Sequence, residues 1–138
     1  MPHDPAITVH TEVAQDGDEV SVKLTVNLPE GVHIEPHVPV EPFLIPTVVD
    51  ADDLADLSVS YPDPVTKLLG WADASVTVLE GTLEFVVTGK RLTTGDPIVG
   101  GLSFQPCVGG ACLPPRRVMW TAPASGVASY SVIEALAA

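Results

Sequence analysis

The chain has 138 residues, enough for one domain whose core needs no covalent staple. Eighteen acidic side chains against six basic give a net charge of −12, which argues against nucleic acid and anionic membrane surfaces as partners. No apolar run reaches the roughly 18 residues a membrane-crossing helix requires, and Met1-Pro2-His3-Asp4 has neither the basic nor the apolar region of a secretory signal.

Ile7, Val9, Thr11 and Val13 alternate with polar neighbours, and after Gln15-Asp16-Gly17-Asp18 the alternation resumes. Val20, Val22, Leu24, Val26 and Leu28 occupy one side of the second run; Ser21, Lys23, Thr25 and Asn27 occupy the other. A period of two with β-branched residues predicts half-buried antiparallel strands, and the Asp-Gly-Asp segment predicts the hairpin turn between them. Val20 to Leu28 are therefore expected to face inward.

Val32 to Glu35 predicts a short strand. Pro36 to Pro46 is too rich in proline for a central strand, because each proline removes a ladder donor, so it is expected at an edge or in a crossing loop. The acidic residues Asp50, Asp52, Asp53 and Asp56 lack the alternating ligands and central glycine of a calcium loop and predict a solvated turn. Leu57 to Tyr61 predicts another strand, followed by the irregular Tyr61-Pro62-Asp63-Pro64. Leu68, Leu69 and Trp71 then fall in a loop, where they either tuck into the core or cover something kept from water.

Ser75 to Leu79, Leu83 to Thr88, Ile98 to Phe104 and Val118 to Thr121 complete the expected strands. Fourteen prolines and eleven glycines interrupt the chain too often for long helices, and only Ser131 to Ala138 predicts a helical turn or two. The tail from about residue 124 reads as a candidate linker. Seven or eight short strands at this spacing predict an all-β, immunoglobulin-like antiparallel sandwich, with residues 1–138 as one domain.

The two cysteines of the chain, Cys107 and Cys112, bracket Val108-Gly109-Gly110-Ala111 and are flanked by Pro106 and by Pro114-Pro115. A disulfide closing so small a ring contributes only about 2 kcal/mol through loop entropy. Reversible redox chemistry is thus one reading; an inert bridge in a secreted β-domain is the other. A structural zinc site needs four ligands and this pair supplies two. His33 and His37 do not extend it, because prolines 36 and 39 prevent a helix and an extended chain sets the two about 13 Å apart. His33 is expected to pack within a strand. Arg116 and Arg117 lie close enough in sequence to lower the thiol pKa of Cys112. The alternative is that they are solvated ends of a loop. No nucleophile elbow, C-x-x-C motif or nucleotide loop accompanies the pair, and no cofactor or metal is expected.

Five segments, in order, carry a resemblance: Pro29-Glu30-Gly31-Val32-His33-Ile34, Glu41-Pro42-Phe43-Leu44-Ile45-Pro46-Thr47, Tyr61-Pro62-Asp63-Pro64, Leu79-Glu80-Gly81, and Phe104-Gln105-Pro106-Cys107 through Cys112-Leu113-Pro114-Pro115. Together they resemble the N-terminal, periplasmic domain of the thiol:disulfide interchange protein DsbD family. The resemblance implies an immunoglobulin-like sandwich with an inserted redox-active loop and a protein-disulfide reductase type of activity. It implies that Cys107 and Cys112 are the redox pair, with Cys112 forming the mixed disulfide. Thioredoxin-like domains would serve as electron donor and acceptors, among them isomerases and cytochrome c maturation factors, and the whole protein would be tethered to the membrane with this domain outside the cytoplasm. Leu68, Leu69 and Trp71 would stand at the family's cap loop. Ala111 and the Leu-Leu-Gly-Trp segment depart from the aromatic residue and the acidic, aromatic-rich cap expected of the family.

Overall fold

A computed structural model describes residues 6–39, 44–68, 75–92, 97–108, 111–122 and 129–135, and among them no helix occurs. In chain order the strands are β1 (Ala6–Asp16), β2 (Glu19–Asn27), β3 (Val32–Ile34), β4 (Val48–Ala51), β5 (Leu54–Ser60), β6 (Val65–Leu68) and β7 (Ser75–Glu80). They continue as β8 (Thr82–Arg91), β9 (Ile98–Phe104), β10 (Cys107–Val108), β11 (Ala111–Cys112), β12 (Arg116–Ala122) and β13 (Ser129–Ala135).

One layer is the five-stranded sheet β13-β1-β2-β8-β5; facing it are β12-β9-β4 and β11-β10-β3-β7-β6. The pairs are antiparallel throughout. This is the immunoglobulin-like sandwich that the alternating runs predict. Val20, Val22, Leu24, Val26 and Leu28 are all buried, and they meet Ile34, Leu79, Leu102, Phe104 and Trp120 in one core cluster. The hairpin between β1 and β2 turns on Gly17-Asp18, with Gly17 at φ 65° as its first position requires.

Glycine also sets two of the corners where the chain passes between the layers. Gly31, at φ 83°, lies in the turn from β2 to β3, closed by the Val32 amide donating to the Pro29 carbonyl at 3.1 Å. Gly81, at φ 76°, is the single residue between β7 and β8, which belong to opposite layers. The Leu28 amide donates to the Gly81 carbonyl at 2.9 Å, so the corners are tied together. Both are left-handed positions where a side chain is strained.

Several expectations need correction. Ser131 to Ala138 predicts a helical turn, yet residues 129–135 form β13, an edge strand paired with β1 through a register shift between Ile7 and Thr8. Pairing with a long neighbour outweighs the weak local helix preference of Ile133-Glu134-Ala135. β4, β6 and the pair β10/β11 are too short to show a period in the sequence. The acidic cluster divides: Asp50 lies in β4, Asp52 and Asp53 make the turn into β5, and Asp56, at φ 51°, sits in the bulge between Ala55 and Ser58.

Candidate redox site

β9 and β12 form an antiparallel pair from Phe104 opposite Arg116 to Ile98 opposite Ala122. The connection between them, residues 105–115, folds out as the small hairpin β10/β11 and joins the neighbouring sheet through β3. Its base is fixed by the Leu113 amide donating to the Pro106 carbonyl at 2.8 Å and by Gln105 Nε2 donating to the Leu113 carbonyl at 3.1 Å. The next facing pair inward is Cys107 and Cys112, with Cα atoms 3.9 Å apart and joined by a disulfide. After a hydrogen-bonded pair, the following facing pair is the close, non-hydrogen-bonded kind, with both side chains on one face.

That face points away from the core. The core takes Val32 and Ile34 from β3 and Leu79 from β7, so alternation turns His33, Glu80 and Cys107 to the opposite side. The two sulfur-bearing residues differ in access. Cys107 is 4% exposed, whereas Cys112, on the edge strand β11, is open to solvent.

Between β3 and β4, residues 35–37 and Thr47 are tied to one another. The Thr47 hydroxyl donates to the Glu35 carbonyl, and His37 Nδ1 donates to the Thr47 carbonyl at 2.9 Å. The His37 ring stacks on Tyr61 with centroids 3.8 Å apart, and Tyr61 meets the edge of Phe85 at 5.8 Å. The Tyr61 hydroxyl accepts from the Val49 amide at 3.0 Å. Tyr61 thus holds His37 and the start of β4 against the core, a role that the composition around it does not reveal.

Burial holds the Glu35 carboxyl above its ordinary value of 4.5. With the folded value above the unfolded one, the native state keeps this proton to higher pH. Its contribution to stability is therefore greatest in acid and declines as pH rises from the unfolded value through the folded one. Glu35→Gln should raise the urea midpoint at pH 7 relative to wild type and leave it unchanged well below pH 4; equal midpoints at both pH values would refute the assignment.

The other candidate residues are distributed as follows. Arg117 Nη2 binds Asp50 Oδ1 at 2.8 Å, reaching across Gly101, whose amide donates to the same oxygen at 3.1 Å. An added Cβ at Gly101 would meet that guanidinium, so the glycine leaves room for the bridge. Arg117 is thus engaged on the β12-β9-β4 sheet. Arg116 stands opposite Phe104 at the start of β12. Leu68 ends β6, while Leu69 and Trp71 lie outside the described residues. His33 is a buried strand residue, and among the described residues no group of three or more His, Cys, Asp or Glu is placed to hold a metal ion.

Among solved structures, the N-terminal periplasmic domain of ScsB from Proteus mirabilis superposes with a TM-score of 0.67 at 14% identity, over 88% of this chain and 48% of that one. The DsbD N-terminal domain of Neisseria meningitidis, in its reduced form, superposes with a TM-score of 0.54 at 19% identity, over 94% of this chain and 91% of that one. The fold is that of the DsbD and ScsB N-terminal domains. It agrees with the DsbD resemblance drawn from the ordered sequence segments. This chain spans about half the length of the ScsB chain it matches. No protein-family model matches the sequence, and no curated protein matches it. Against the DsbD-like frame, the Pro29-to-Ile34 and Leu79-to-Gly81 segments are two corners between layers, and Phe104 to Pro115 carries the cysteine hairpin.

Proposed function

We propose that this domain is a thiol–disulfide exchange module of the protein-disulfide reductase type, in which Cys107 and Cys112 carry two electrons between thioredoxin-like proteins. The observation that carries this reading is the unequal exposure of the two cysteines on a face turned away from the core. A bridge serving only as a staple gains nothing from one open sulfur, whereas exchange needs one sulfur that an incoming thiolate can reach. The donor thiolate attacks Cys112 Sγ, the bond to Cys107 breaks, and Cys107 leaves as a thiolate. The donor's second thiolate then attacks its own sulfur in the mixed disulfide and frees reduced Cys112; on delivery, Cys112 forms the mixed disulfide with the acceptor and Cys107 is the resolving group. A place outside the cytoplasm, tethering to a membrane segment and delivery to isomerases or cytochrome c maturation factors fit the same reading, as does a covering role for Leu68, Leu69 and Trp71.

Equilibration with defined thiol–disulfide buffers tests it. An exchange domain should titrate at a potential above about −300 mV and react with a thioredoxin-like protein. A midpoint below that value with no reaction would make the pair an inert bridge in a binding or structural module.

A further inference from the structure

The register brings two further chemistry-bearing residues to the cysteine pair. Across β11, β10, β3 and β7 the facing residues run Cys112, Cys107, His33, Glu80 in a single rank. Residues directly opposite on paired strands point to the same face, with Cβ atoms about 4.5–5.5 Å apart, within side-chain reach of one another. His33 is 8% exposed and Cys107 4%, so imidazole and sulfur share a water-poor space. Val32 and Ile34, the neighbours of His33 on its own strand, belong to the core; His33 does not.

Burial in apolar surroundings raises a thiol pKa, which works against a resolving cysteine that must ionise to act. We propose that His33 is the proton acceptor for the Cys107 thiol, with Glu80 on its far side favouring the imidazolium that results. The order acid, histidine, cysteine is the arrangement in which a base activates a nucleophile and a third group supports the base. The inference rests on the exchange reading and adds to it the group that handles the proton. The titratable groups in register on this face include Cys107, Cys112 and Glu80, with Glu35 just beyond the end of β3 and Lys67 on β6 opposite Val76, farther along the face of Glu80.

In the reduced domain the Cys112 thiolate attacks a partner disulfide, forming a mixed disulfide and releasing one partner thiolate. The Cys107 thiol passes its proton to His33, and its thiolate attacks Cys112 Sγ. The mixed disulfide breaks, the second partner sulfur leaves as a thiolate, and the imidazolium returns its proton to solvent. Two electrons move from the dithiol to the partner.

Reduced protein mixed with excess dithionitrobenzoate releases two chromophores in turn, the second upon attack by Cys107. For wild type the second phase should depend on an ionisation in the imidazole range, near pH 6.5. In His33→Gln it should slow by about tenfold or more at pH 6 to 7, equivalent to at least one pKa unit at Cys107, and converge on wild type where the thiol ionises unaided. Rates lowered by one factor at every pH, or not lowered, would overturn the proposal. A second measurement needs no change at His33. In Cys112→Ser, thiolate absorbance should place Cys107 below its ordinary value of about 8.5 despite burial. A midpoint at or above that value would equally overturn it. Because the probe is a small molecule, failure to react with thioredoxin-like proteins would count against the proposed function and leave this result standing.

Discussion

With Cys107 replaced by serine, the domain should accumulate as a mixed disulfide through Cys112 with a thioredoxin-like protein. Cys112→Ser should trap at least about tenfold less. The asymmetry follows from where the strands end: β11 is the outermost strand of its sheet and exposes Cys112, while β10 is flanked by β11 and β3 and buries Cys107. Loss of Cys107 removes this chain's own resolving thiol, since the chain has just two cysteines. Non-reducing gels after incubation with a thioredoxin-like protein and a mild oxidant read the outcome. Equal trapping by the two variants would mean that access does not select the attacked sulfur, and the division of labour between the cysteines would have to be abandoned.

A second large effect concerns the sheet that holds the hairpin. Trp120 is 1% exposed, stands opposite Gly100 and donates through Nε1 to the Gly101 carbonyl at 3.1 Å. Trp120→Ala should cost about 3–5 kcal/mol from lost burial and the cavity left behind. The ring lies where a side chain at Gly100 would stand, and a Cβ there would run into both the ring and the Asp50 carbonyl oxygen. Gly100→Ala should therefore cost about 1–3 kcal/mol or more, because the backbone of β4 cannot rotate away as a side-chain end can. The double variant should lose less than the sum, since removing the indole relieves one of the two clashes. Urea midpoints of the three variants decide it. A Gly100→Ala cost within about 0.5 kcal/mol, ordinary for a surface change, would show that the indole and β4 do not confine this position.

The parts of this architecture that were legible in the sequence share a physical cause. β1, β2, β8 and β9 each run seven residues or more, and their inward positions repeat with a period of two because one face meets the core. β10 and β11 have two residues each, and two residues carry no period. Their pairing is imposed by the proline-flanked turn and by β3, which sequence distance conceals. The cysteines were visible as a pair, but their unequal exposure depends on which strand ends the sheet. His33 reads as an ordinary packed residue, since its neighbour in space is remote in the chain. The same holds for Arg117: its charge suggests an effect on the nearby thiol, while the gap left by Gly101 draws it to Asp50.

The cysteine hairpin hangs from two strands that are already zipped together along their whole length, from Phe104 and Arg116 onward. That pairing does not run through the hairpin, so the segment between those two residues behaves as a cassette: its ring size, its residues and its partner preference can be exchanged while β9 and β12 hold its ends together. Loop closure penalises such changes only logarithmically in length. Selection or design can thus retune the chemistry of this domain by rewriting about a dozen residues, with the remaining strands serving as an unaltered socket.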